Sequence, residues 1–195
     1  MTKYFSCLFA ASLILLTGCA SQQAKLSHIP LENINRWTAK GKLGLVLEND
    51  RSSASFFWQN DNDNFELKLH GPFGQGAVEL KKTNNNVVLT SNEGSQHASS
   101  PEVLLLDNLG WTVPVSELHW WIKGLVSPNI EVNASSFGTS GELVSLQQQG
   151  WNIKFQNYQT VRGHMLPHKL IAKHKQVRLT LIIKSWSLKP DVKSG

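Results

Sequence analysis

Trp37-Thr38-Ala39-Lys40-Gly41-Lys42-Leu43-Gly44-Leu45-Val46-Leu47 changes character at almost every step. Trp37, Ala39, Gly41, Leu43, Leu45 and Leu47 fall on one side, and Thr38, Lys40 and Lys42 on the other. Successive side chains of an extended chain point to opposite faces, so a period of two makes a strand with one apolar and one wet face. Ala54, Phe56 and Trp58 repeat the pattern. Phe65, Leu67 and Leu69 alternate with Glu66, Lys68 and His70, and Val78 and Leu80 with Glu79 and Lys81. The cluster Asn60-Asp61-Asn62-Asp63-Asn64 and the stretch from Thr83 to Asn86 read as turns, the second leading into Val87 to Thr90. Short consecutive strands with tight turns predict an antiparallel meander.

The pattern breaks in the middle of the chain. Ser100-Pro101-Glu102 supplies an N-cap, a proline at the first helical position and an acid in the first turn. Val103, Leu104, Leu105, Leu106 and Leu109 follow, and Gly110 suits the stop. This helix is apolar nearly all round. A second helix is expected from about Pro114 to Gly124, with Val115, Leu118, Trp121 and Ile122 on one face and Trp120 beside it. Neither has the pattern of an ordinary surface helix.

Strands return after Gly141. Leu143 to Gln148 and Trp151 to Gln156 flank a Gln149-Gly150 turn, and Asn157 to Pro167 reads as a longer connection. Leu170 and Ala172 share a stripe, then Val177, Leu179, Leu181 and Ile183 alternate with Arg178, Thr180 and Lys184 up to Trp186. Residues 189–195 read as a flexible tail, and Pro30 to Arg36 as a short helix. The order is strands, two greasy helices, strands. A long antiparallel sheet curls because strands twist, and its concave side needs a cover that the central helices can supply. The fold class is therefore mainly β with a helical lid. A lid that does not fit perfectly leaves an apolar cavity.

The start of the chain has a different logic. Lys3, the apolar run from Phe5 to Leu16, and the small residues Thr17 and Gly18 form a secretory signal layout. The run is shorter than the roughly 20 residues that a membrane-spanning helix needs. Cys19 follows at once, so Leu16-Thr17-Gly18-Cys19 reads as a bacterial lipobox, with Cys19 diacylglyceryl-modified and becoming the mature N-terminus. The expected layout is a signal peptide over 1–18, a lipidated cysteine and tether over 19–29, and a single domain over 30–188. Cys7 leaves with the signal, so no internal disulfide can form and the core holds by burial alone. Lys3 leaves with the signal as well, so the formal charge drops from +5 to +4, which suits anionic headgroups or an acidic protein; an exported protein rarely meets nucleic acid.

Catalytic signatures are missing. Gly138-Thr139-Ser140-Gly141 lacks the spacing of a nucleophile elbow, and no glycine-rich lead-in makes a phosphate loop. His164 and His168 are four apart, but Pro167 argues against a helix there and no further ligand completes a metal site. The chain reads as a binding protein, not an enzyme, with no cofactor, no metal and no partner copy required: a monomer.

The lipobox, the strand from Trp37 to Leu47, the hairpin from Leu67 to Gly76, the Trp120-Trp121 helix and the ending from Leu166-Pro167-His168-Lys169-Leu170 to Trp186 together resemble the LolB family, across essentially the whole chain. That resemblance implies an unclosed antiparallel β-barrel, a half-barrel, whose helical lid covers a hydrophobic cavity. It implies a lipoprotein on the periplasmic face of the outer membrane, lipid-anchored through Cys19, that accepts acylated lipoproteins from a LolA-like periplasmic carrier and inserts them among outer-membrane lipids. In that family an aspartate after the lipidated cysteine would favour retention in the inner membrane; Ala20 is compatible with outer-membrane delivery. The family also carries an exposed bulky residue, usually leucine, on a loop that corresponds to Gly71-Pro72-Phe73-Gly74-Gln75-Gly76. Phe73, flanked by Pro72 and Gly74, takes that place.

Candidates for the cavity wall and lid are Trp37, Leu43, Leu45, Phe56, Trp58, Phe65, Leu67, Leu105, Leu106, Leu109, Trp120, Trp121, Ile122, Leu179, Leu181 and Ile183. Alternation tells which of them share a face, not whether that face meets a void. A second class stays open: a structural or assembly-factor lipoprotein that binds proteins rather than acyl chains.

Overall fold

The computed structural model describes residues 28–48, 50–71, 76–109, 112–128 and 130–189. A 3-10 turn at Leu31–Asn33 stands where a short helix was expected. Six strands follow: β1 (Arg36–Leu47), β2 (Asp50–Asp61), β3 (Asn64–His70), β4 (Val78–Thr83), β5 (Asn86–Ser91) and β6 (Gly94–Ala98). Two helices, α1 (Pro101–Leu109) and α2 (Val115–Trp121), lead to β7 (Val132–Phe137), β8 (Leu143–Gln148), β9 (Trp151–Val161), β10 (His164–His174) and β11 (Val177–Lys189).

All eleven strands join one sheet in the order β6-β5-β4-β3-β2-β1-β11-β10-β9-β8-β7. Neighbouring strands pair antiparallel, and the first strand pairs with the last, Leu43 opposite Leu181 and Leu45 opposite Leu179. The two helices therefore carry the chain from one edge strand to the other, and β6 and β7 do not meet. This is an unclosed antiparallel barrel.

The apolar phase of each strand is the buried one. Trp37, Ala39 and Leu45 of β1, Phe56 and Trp58 of β2, Ile153 and Phe155 of β9 and Leu179, Leu181 and Ile183 of β11 all lie in the core. On β11 the phase switches from odd to even before Trp186, and the register explains it. Lys40 faces Ser185 while Gly41 faces Ile183, so Lys184 is an extra residue. A bulge of this kind flips every side chain beyond it, which brings Trp186 and Leu188 opposite Ala39 and Trp37 on the inner face. The bulge also needs glycine opposite it. A Cβ on Gly41 would lie 2.0 Å from the Ile182 carbonyl oxygen.

Three expectations are corrected. Asn157 to Pro167 is not a long connection: β9 runs to Val161 and β10 starts at His164. Arg162 (φ 50°) and Gly163 (φ 87°) turn the chain in the left-handed region that a two-residue hairpin requires. Gln159, Thr160 and Met165 are exposed here, so the wet–dry alternation fades. Pro167 is tolerated because the ladder is interrupted beside it: Asn157 has φ 57° and its pairing with His168 is absent. Second, Lys189, read as the start of the tail, pairs with Arg36 at the end of β11. Third, β6 and β7 were not expected, since Gly94-Ser95-Gln96-His97-Ala98 is largely exposed and every residue of β7 is exposed.

Candidate functional site

Helix α1 starts as its sequence suggests, with the Val103 amide donating to Ser100 Oγ at 3.4 Å. Leu104 and Leu105 face inward at 2% and 3% exposure. Leu106, expected at the cavity, is instead 51% exposed beside Val103 at 45%. A single short helix lying on a sheet can bury only one face. Leu109 ends α1, and its side chain lies outside the described residues. On α2, Val115, Leu118 and Trp121 are buried, Ile122 follows at 0% exposure, and Trp120 is half-buried at the rim.

Beneath the helices the aromatic side chains interlock. The Trp37 ring meets Trp58 at 5.3 Å and Trp186 at 5.7 Å, both edge-on, and Trp58 meets Phe65 at 6.3 Å. Edge-to-face packing suits the ring quadrupoles. Trp37, Leu45, Phe56, Trp58, Trp121, Ile122, Leu179, Leu181 and Ile183 are each 4% exposed or less. Leu67 is 8% exposed, and Leu43 and Phe65 pack against this core while partly buried. A wall facing an open hollow would be accessible on that side, so among the described residues the space under the lid is filled by the protein's own side chains.

Two clefts lie at the rims. One, of about 660 Å³, is lined by Asn35, Asn60, Phe65, Lys82, Ser100, Val115, Glu117, His119 and Trp120. The other, of about 510 Å³, is more apolar, with Leu31, Leu125, Val126, Phe137, Leu143, Tyr158 and Met165 among its walls. Between them α2 is pinned by polar groups that sequence reading missed.

At the first cleft Asn60 donates to the carbonyls of Asn35 at 2.6 Å and Asn62 at 3.0 Å. Its Oδ1 is therefore the acceptor, and His119 Nδ1 donates to it at 3.1 Å. His119 also packs on Trp37 at 5.5 Å and Trp120 at 5.4 Å. Burial, then the charges of Lys123 and Lys82, push its pKa down to about 3, so it is a neutral group here. Lys123, 0% exposed, donates to the Ile34 carbonyl at 3.4 Å and sits 4.7 Å from the Trp120 ring centroid.

At the far end of α2, Gln148 is 0% exposed and uses its full hydrogen-bonding capacity. Its Oε1 accepts from Trp121 Nε1 at 3.0 Å and the Ser127 amide at 3.1 Å. Its Nε2 donates to the carbonyls of Ser127 at 3.0 Å and Ile130 at 2.8 Å. Ser127 Oγ donates to Glu117, and Glu102 of α1 accepts from the amide and hydroxyl of Ser116. Tyr158 donates to the Leu143 carbonyl at 2.6 Å, and burial raises its phenol pKa.

A signal for these residues existed. Asn60 continues the phase of Phe56 and Trp58, and Gln148 continues that of Leu146. A polar residue in the apolar phase of a strand must find partners inside. Cys19, Pro72, Phe73 and Gly74 lie outside the described residues. Among the described residues no cluster of histidine, cysteine and carboxylates could hold a metal, and no helix is long and apolar enough to cross a membrane.

A curled sheet with an aromatic and leucine-rich inner wall, closed by helices between its edges, can now be compared with known proteins. The family model described as "Outer membrane lipoprotein LolB" matches residues 35–186. The chain belongs to the LolB family. A LolB relative, the outer-membrane lipoprotein LolB of Francisella tularensis subsp. tularensis (strain FSC 198), is 36% identical over 199 residues, covering 95% of this chain and 96% of its own length. The outer-membrane lipoprotein LolB of Pseudomonas putida (strain F1) is 34% identical over 194 residues, covering 92% and 94%. Among solved structures, a LolA superfamily protein from Nitrosomonas europaea shares the fold with a TM-score of 0.51 at 8% identity, covering 87% of this chain and 93% of its own. LolB membership thus comes from sequence, and the half-barrel likeness to the LolA superfamily from shape alone.

Proposed function

We propose that this chain is an outer-membrane lipoprotein which receives acylated lipoproteins from a LolA-like carrier between its sheet and α1–α2, and delivers them to the outer-membrane inner leaflet. The observation that supports this most is the continuous apolar wall beneath two short helices, which pack on it through leucine, valine and tryptophan side chains and are pinned by polar contacts at their ends. Apolar contact is non-directional, so leucine, isoleucine and indole surfaces that pack on the helices serve equally well against an acyl chain. Because the interior is filled, uptake must lift α1 and α2 off the sheet. The cargo repays that cost by binding the opened wall better than it binds the carrier, and it never enters water, where each exposed methylene would cost about 0.8 kcal/mol.

No phosphate-binding loop is present in the sequence to drive a cycle. Transfer in this reading breaks no covalent bond and runs downhill: the cavity binds acyl chains better than the carrier does, and the membrane better still. Cys19 supplies the lipid anchor on the periplasmic face, and residues 20–28 the tether. Phe73, presented by Pro72 and Gly74, enters the bilayer during release. The family and the names of the relatives support a role in lipoprotein localisation at the outer membrane.

The test is crosslinking with a lipoprotein that carries a photoreactive acyl chain. Adducts are expected at Trp58, Leu67 and Leu181, and delipidated cargo should not compete. Adducts confined to the outer surface would refute the reading. Equal binding of delipidated cargo would replace it with the protein-binding alternative.

A further inference from the structure

The outer face of the sheet holds an arrangement that acyl uptake does not use. Residues 143–189 contain no aspartate or glutamate. Their cations do not scatter, because the ladder gathers them. Lys173 is directly opposite Arg178, Arg178 is opposite Val46, and Val46 is opposite Arg51. Two rows further on, Lys169 and Lys42 flank Ile182 from either side. Lys154, opposite Ile171, sits in the row between. Strands lie about 4.8 Å apart and same-face neighbours about 7 Å apart along a strand. Six cations therefore share one broad outer surface over five strands. Glu48 and Asp50 stand at the β1–β2 turn, at one end of it.

The same sheet provides a comparison. On the outer face of β3 and β4, Glu66 is opposite Lys81 and Lys68 opposite Glu79, so charge cancels pair by pair. The ion pairs described involve Arg36 with Asp61, and Lys68 with Glu66 and Glu79. None involves the six cations. Like charges directly opposite one another, as at Lys173 and Arg178, work against the fold. Solubility would be served equally by the mixed pattern of β3–β4. At one end of the cationic field, between Lys42 and Lys169, Ile182 is an apolar side chain 47% exposed.

We propose that this outer face of β1, β2, β9, β10 and β11 is a docking surface for an anionic phospholipid bilayer. The face suits anionic headgroups in sign and breadth, with Ile182 among the lysine stems at the level where headgroups meet acyl chains. The surface stands independently of acyl uptake, which uses the opposite face. Only the choice of a bilayer over an acidic protein draws on the lipobox reading: a nine-residue tether from Ala20 to His28 reaches about 30 Å, holding the face beside a membrane.

The experiment is vesicle flotation of the chain from Ala20 onward, which keeps every described contact. Vesicles of phosphatidylcholine alone are compared with vesicles that also contain phosphatidylglycerol. Binding is expected to be at least tenfold tighter to the anionic vesicles and to fade in high salt. Lys169→Gln/Lys173→Gln/Arg178→Gln should weaken it by roughly fivefold per cation, on the order of a hundredfold together. Lys68→Gln/Lys81→Gln, on the charge-balanced half, should leave it nearly unchanged, and acyl crosslinking should persist in both variants. Equal weakening by the two variants would show a net-charge effect and overturn the proposal. So would indifference to phosphatidylglycerol, or charge-dependent binding of an acidic carrier protein at this face without binding to lipid.

Discussion

Replacing Gln148 with leucine removes the most heavily bonded polar group under the lid while keeping its volume close to native. Four partners lose their bond: Trp121 Nε1, the Ser127 amide, and the carbonyls of Ser127 and Ile130. All meet a side chain that is 0% exposed. A buried donor or acceptor left without a partner costs about 1–3 kcal/mol. Some of the four will recover through water as the 125–130 segment relaxes, so the expected loss is about 4 kcal/mol, near the upper end for a single substitution. Urea unfolding followed by tryptophan fluorescence measures it.

Trp121→Phe provides the internal control. In the native background it removes one donor while Gln148 still accepts from Ser127, and the loss combines that bond with a small cavity. In the Gln148→Leu background the same change also removes an orphaned N–H, so its cost should fall by about 1 kcal/mol. A Gln148→Leu loss below about 1 kcal/mol, or strict additivity of the two changes, would refute the claim that Gln148 pins α2.

His119 links stability to pH. It stays neutral in the fold down to about pH 3, whereas its unfolded pKa is near 6.5. Its stabilising neutral state is fully present above pH 6.5 and is lost as pH falls from there toward 3, by about 2 kcal/mol between pH 6.5 and 5. His119→Gln should flatten that part of the stability profile; identical slopes would count against it. Gly41→Ala should destabilise by about 2 kcal/mol or more, because the new Cβ meets the backbone carbonyl of Ile182 first and the buried Phe56 ring beside it. Unchanged thermal unfolding would show that the bulge relaxes freely. Phe73→Glu should leave acyl crosslinking intact and impair insertion into liposomes; normal insertion would remove Phe73 from the mechanism.

The strand phases from Trp37 through Leu89 and from Leu143 through Ile183 were legible because burial on one side of a strand imposes a period of two. The Ser100-Pro101-Glu102 helix start was legible for an equally local reason. The edge strands β6 and β7 and the β9–β10 turn were not, since residues exposed on both sides carry no alternation. Leu106 shows the complementary limit. Its composition says apolar, but which flank of a greasy helix faces the sheet depends on how the helix lies. Asn60 and Gln148 stood out as polar residues in an apolar phase, yet nothing near them in sequence identifies His119, Trp121 or Ser127 as their partners.

By itself, then, the chain determined which residues share a face and where strands give way to helices, because dihedral preference and side-chain direction act over a few residues. Only the tertiary structure decided that β1 closes on β11, that the helices fill the inner wall with their own side chains, and that six cations from five strands gather on the outer one. Those outcomes depend on contacts between residues as far apart as Leu43 and Leu181. Packing and ladder register set such contacts, and no local period encodes them.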